Sequence, residues 1–214
     1  MTPDTLIAEG RRLARPCVFL RPEACGPVAA IWHNPDAEEI DSTGFRRWIT
    51  VDTRFVPCLP KDVLGFISVL TDERRCEGGR IEIHASPPEE GGVKLHAEQK
   101  SVLAPIEAIF SRGSDEIGHW LAANRWPREE RYNDNFPDRS IVEIFMRQWM
   151  KEYPIYRNNG TYAVLGGWHF PCADNDWYRL VDEQLIVLTI YDSEPWVEGW
   201  RLRSGHFEVI QRIS

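Results

Sequence analysis

The chain has no C-x-x-C pair and no regular cysteine framework. Its five cysteines, Cys17, Cys25, Cys58, Cys76 and Cys172, are odd in number, which fits free thiols in a reducing compartment better than disulfides. Nowhere do about 18 apolar residues run together, so no membrane span is expected. The opening stretch "MTPDTLIAEGRRLARPCVFLRP" lacks an apolar run of signal-peptide length, which makes a cytoplasmic location the expectation. Lysine is scarce, 4 residues against 21 arginines, a bias that reads as the base composition of a GC-rich bacterium rather than as function.

A basic stripe is missing too. The pairs Arg11/Arg12, Arg46/Arg47 and Arg74/Arg75 each have acids nearby, and phosphate-backbone binding needs clustered positive charge, so nucleic acid is not an expected partner. There is no G-x-x-x-x-G-K-[ST], no G-x-G-x-x-G, no G-x-S-x-G, no H-E-x-x-H and no EF-hand loop. These absences remove the readily legible phosphate, dinucleotide, acyl-transfer and metal chemistries.

What is present is an ordinary folding composition: 214 residues, 43% apolar and 27% charged, enough for a substantial core and too hydrophobic for disorder. One domain over 1–214 is favoured, with a subdivision near 127–138 as the alternative, because "PREERYNDNFPD" is polar and turn-rich. The polar "SPPEEGG" at 86–92 reads as a second loop.

Helices carry their own punctuation. Thr2 and Pro3 read as an N-cap and first-turn proline for a helix running to about Leu13. "APIEAIFSRG" ends at Gly113, and Ser114 then caps "DEIGHWLAAN", whose Ile117, Trp120 and Leu121 fall on one face. In "DRSIVEIFMRQWMKEYP" Ser140 and Glu143 have capping-box spacing ahead of Ile141, Ile144, Phe145 and Trp149, with Pro154 just beyond. Strands are expected at "CVFLRP", "VAAIWH" and "RRWITVDTRFVP". "LGFISVLTDERRCEGGRIEIHAS" reads as a hairpin, and "QLIVLTIYD", "EPWVEGWRLR" and "HFEVIQRI" as further strands, the last two joined by a tight "RSGH" turn. About four helices flanking antiparallel sheets, with a helical segment between two strand-rich blocks, predict an α+β fold.

Candidate chemistry is thin. His84 and His96 can be imagined meeting across a hairpin with Glu82 and Glu98 nearby, but a catalytic zinc wants about three protein ligands, so no metal and no cofactor is expected. His169 and Cys172, with Asp174 or Asp176 orienting the imidazole, invite a thiol-nucleophile reading; a buried cysteine beside a turn histidine is the plainer one. Glu194 and Glu198 lie four apart beside Trp196 and Trp200, a permissive carboxylate pair for glycosidase-like chemistry. Pro195 points to an edge position or bulge there.

Net charge is −8, and residues 161–214 hold 8 acids against 4 bases, half the acidic excess in a quarter of the chain. Four of nine tryptophans lie there as well. Aromatic anchors ringed by acid describe a protein-binding surface: Trp168, His169, Asp174, Asp176, Trp177, Asp192, Glu194, Trp196 and Glu198. A structural corner is the competing reading of "GGWHFPCADNDW", with Gly166 and Gly167 letting a strand end approach another backbone.

A small, acidic, tryptophan-rich α+β chain without a catalytic signature resembles the immunity proteins that accompany bacterial polymorphic and contact-dependent toxins, including those delivered by type VI secretion. That resemblance implies a stoichiometric, non-catalytic inhibitor whose partner is a basic toxin or effector domain. An enzyme with a carboxylate and histidine site, hydrolase-like in kind, and an assembly component are the alternatives.

Overall fold

The computed structural model describes residues 1–33, 44–57, 59, 63–72, 79–87, 91–123, 139–152, 161–168, 185–191, 195–203 and 206–212, the last three strands by their backbone pairing. The first helix, α1 (Pro3–Arg12), begins where the punctuation places it: Thr2 Oγ1 accepts a 3.2 Å bond from the Thr5 amide, and Pro3 occupies the first turn. Strands β1 (Arg15–Arg21), β2 (Val28–Trp32), β3 (Phe45–Asp52), β4 (Phe66–Asp72), β5 (Gly79–His84) and β6 (Val93–Val102) follow. Then come α2 (Ile106–Arg112), α3 (Asp115–Ala123) and α4 (Arg139–Glu152), and finally β7 (Ala163–Gly166), β8 (Leu185–Tyr191), β9 (Pro195–Arg203) and β10 (His206–Arg212). The α+β expectation holds. Helix α4 starts at Arg139, one residue ahead of the expected cap, so Ser140 lies inside its first turn.

All strand pairs are antiparallel, and the strands form one sheet in the order β10-β9-β8-β7-β1-β6-β2-β3-β4-β5. Strands from both sides of 127–138 therefore share it. The β4–β5 and β9–β10 hairpins form as read, with Arg203 opposite His206. Strand β6 sits between β1 and β2, pairing with both. Strand β9 lies between β8 and β10 and is no edge, contrary to the expectation from Pro195; the proline occupies the strand's first position, where a missing amide costs little.

Strand β1 explains itself as a four-residue buried run. Cys17 and Phe19 face one side and Val18 and Leu20 the other, all four at most 4% exposed, as a strand covered on both faces requires. On the first side, Cys17, Phe19 and Val164 pack with Leu6, Leu103, Ile106, Ile109, Phe145 and Trp149 of the helical layer. On the second, Val18, Leu20 and Leu165 pack with Trp32, Ile49, Val51, Val69 and Leu95 from the neighbouring strands. Trp32 is three strands from β7, about 14 Å across a flat sheet, yet its ring lies 5.6 Å from that of Tyr162 at the start of β7. The second side is thus the concave one, and the sheet curls until β5 and β10 approach each other.

Glu9 joins the helices. Buried on α1, its carboxylate accepts from Arg12 Nε and Nη2 at 2.9 and 2.7 Å and from the Ser114 amide at 2.7 Å, at the start of α3. The hydrogen bond from Arg12 leads the interactions that hold this carboxyl below the usual carboxylate range, against the opposing effect of burial. Because the folded state depresses this acidity constant, the stabilisation is complete above the unfolded carboxylate range and is lost as pH falls through the folded value. Glu9→Gln is expected to cost about 1–3 kcal/mol at neutral pH. The gap from wild type in urea melts should shrink below about pH 4; a gap independent of pH would remove the charge from the explanation.

Candidate functional site

Of the nine residues expected to form a partner surface, Trp168 is the one whose side chain the structure describes, and it is buried. Its indole Nε1 donates to the Leu13 carbonyl at 2.9 Å, the Arg15 guanidinium stacks 3.5 Å from the ring centroid, and Ala104 and Ala108 pack beside it. Trp168 is therefore a fastener between β7 and the end of α1, not an exposed anchor. Two glycines aim it. Gly166 and Gly167 have φ of 70° and 77°, left-handed values that favour glycine. A Cβ on Gly166 would come 2.8 Å from Pro57 and 3.0 Å from the Pro16 carbonyl, and the Gly167 amide donates to that same carbonyl at 3.0 Å. The reading of this pair as a strand end meeting another backbone holds.

Trp196 and Glu198 fall at alternate positions of β9. Register runs Leu20, Ala163, Ile190, Trp196 across β1, β7, β8 and β9, which puts position 196 in the row of two fully buried residues of the concave core. His169, Asp174, Asp176, Trp177, Asp192 and Glu194 lie outside the described residues, as does Cys172.

The imagined histidine pair does not form. His84 on β5 pairs with Phe66, and β4, β3 and β2 separate it from β6, where His96 sits opposite Arg21 and Val28. Among the described residues no group of three or more His, Cys, Asp or Glu side chains is placed to hold a metal ion. Cys17 is buried, and burial pushes its thiol up to about 12, so it carries negligible thiolate at neutral pH.

Two polar groupings occupy the convex side. On β3 and β4, Thr50 Oγ1 lies 2.8 Å from Ser68 Oγ and 2.9 Å from His33 Nε2. Thr50 and Ser68 are fully buried, so these hydrogen bonds satisfy interior hydroxyls and neither hydroxyl is a reachable nucleophile. Next to Ser68, Glu82 on β5 lies 2.7 Å from Arg80, 3.3 Å from Arg47 and 3.6 Å from His84.

The second grouping faces solvent. The helical layer packs on the convex side of β1 and β7 and on Val102 at the end of β6; among the described residues it does not reach the rest of β6 or β2. Alternation places Lys94, His96, Glu98 and Lys100 of β6 in one column, with Arg21 of β1 opposite His96 on one flank and Val28 and Ile31 of β2 opposite His96 and Lys94 on the other. Lys94, Lys100 and Val28 are exposed, while Arg21, Ile31, His96 and Glu98 are half-buried. Glu98 stands between two cations, Lys100 Nζ at 2.6 Å and Arg21 Nη1 at 3.1 Å. The Lys100 bond leads the interactions that hold its carboxyl below the usual range. Arg21 is fixed in turn by a 2.8 Å bond from Nε to Thr161 Oγ1. This face is a preorganised charge ladder with an apolar border. The alternation of "VKLHAEQKSV" was the signal that could have found it, since every second residue there is polar and long.

Compared with protein-family models, curated proteins and solved structures, the chain matches none.

Proposed function

We propose that this chain is a non-catalytic binding protein, a stoichiometric inhibitor that covers a protein partner with the convex face of β6 and β2 and the Arg21 end of β1. The observation that supports this reading is the open face itself. It is the part of the convex side that the helices do not reach among the described residues, it carries exposed Val28 beside a column of charged side chains, and hydrogen-bond ladders on both flanks of β6 hold it rigid. An apolar contact bordered by charge is how protein interfaces are commonly built. A surface already fixed in a sheet loses little conformational freedom when it binds. The expectation of an inhibitor is retained, and the proposed surface moves from the C-terminal strands to this one.

An occluding interface would bury about 800 Å² on each partner. The test is affinity capture with the tagged chain from lysate of its source cells, at matched expression of wild type and Val28→Asp, followed by titration of the purified partner. One saturable partner bound one to one, its own activity lost on binding, and affinity reduced at least tenfold by Val28→Asp is the expected result. A partner held equally by both, or one whose activity is untouched, would overturn the proposal.

A further inference from the structure

We infer that the surface this face recognises is an acidic, concave protein surface, such as a carboxylate-lined cleft; the inference rests on the inhibitor reading above and names its partner's chemistry. The chain as a whole carries −8, yet the described open face bears Arg21, Lys94 and Lys100 against the single carboxylate of Glu98. Glu98 is engaged by two of those cations, so the face keeps a cationic excess. Lys94 and Lys100 stand at the two ends of the column, both exposed.

A local excess of one sign on a protein of the opposite net charge orients an approaching partner, because the field near the face differs in sign from the field of the whole molecule. The partner that complements it carries carboxylates. The curl of the sheet makes the face convex, so the matching surface is hollow. The basic partner expected from the composition of residues 161–214 is replaced here by an acidic one, since the exposed, described face has the opposite sign.

The probe is fluorescently labelled poly-L-glutamate at low ionic strength, read by anisotropy. A chain of net −8 repels a polyanion unless one face attracts it, so saturable binding is itself informative. Wild type should bind, Lys94→Glu/Lys100→Glu should bind at least tenfold more weakly, and Arg147→Glu/Lys151→Glu, the same charge change on exposed positions of α4, should lose far less. Lys94→Gln/Lys100→Gln serves where the reversal disturbs Glu98 and unfolds the chain; its loss should be intermediate. Equal losses from the β6 and α4 pairs, or preferential binding of poly-L-lysine, would overturn the inference. Tighter binding of duplex DNA than of poly-L-glutamate, abolished by the same reversal, would also overturn it, in favour of a nucleic-acid site. If a captured partner depends on Val28 and not on Lys94 or Lys100, the inhibitor reading stands and the acidic partner falls. If poly-L-glutamate binds as expected and no partner is inhibited, the inhibitor reading falls instead.

Discussion

Replacing Trp168 by alanine is expected to lower the unfolding free energy by about 3–5 kcal/mol, with partner binding by the remaining folded protein unchanged. Three losses combine. The cavity is that of an indole packed on Ala104 and Ala108. The Leu13 carbonyl loses its indole donor. Leu13 is the C-cap of α1, where carbonyls have no partner within the helix, so this one would be left to find water. The Arg15 guanidinium, stacked 3.5 Å from the ring centroid, loses the face it lies on, a contact that strengthens when desolvated. Trp168→Phe separates these terms, because it keeps an aromatic face for Arg15 and removes the N–H donor, and should fall between wild type and alanine. Urea unfolding followed by circular dichroism reads all three proteins. An alanine variant within about 1 kcal/mol of wild type that loses partner capture would return Trp168 to the binding surface and overturn the structural role given to it.

That residue also marks the limit of what the sequence discloses. Local signals were legible wherever the chemistry is local: Thr2 and Pro3 start α1, Gly113 closes α2, and the strand hairpins follow turns of the right length. The paired glycines before Trp168 were legible for the same reason, since a left-handed backbone needs them whatever lies beyond. Pairing between distant strands was not. Nothing in "KLHAEQ" states that it lies between "CVFLR" and "VAAIW" rather than beside "IEIHAS", because each is an alternating or apolar run compatible with several neighbours. Of strand β7 only the end at the glycines was read: four residues buried on both faces show no alternation. Trp168 was misjudged through the same gap. Tryptophan serves cores and interfaces equally, so counting it near acids could not separate Trp168 in the core from an anchor on the surface. Acid content by segment could not report that Arg21, Lys94 and Lys100 from two other strands would gather on one described face.

Gly65→Ala is expected to cost about 3 kcal/mol or more and to loosen the β4–β5 end of the sheet first. Two independent constraints meet at this residue. Its φ is 108°, far outside what an L side chain adopts without strain, and a Cβ built there would run into the His84 carbonyl of the paired strand. Backbone cannot swing aside as a flexible side chain does, so relief requires moving β5. The Gly65 carbonyl meanwhile accepts from the Thr53 amide at 3.0 Å and from Thr53 Oγ1 at 3.1 Å, tying the start of β4 to the turn after β3 and resisting that movement. The disturbance therefore falls on β5, where Arg80, Glu82 and His84 stand. Gly91→Ala is the control, since a Cβ there meets nothing within 4 Å; it should change stability by no more than about 0.5 kcal/mol. Amide exchange should show early loss of protection in β4 and β5 of the Gly65 variant while β1 and β6, with the charge ladder they carry, stay protected. Uniform loss across the sheet would mean that this curled sheet opens as one cooperative unit, and the convex face would then owe its rigidity to the whole fold rather than to its own two ladders.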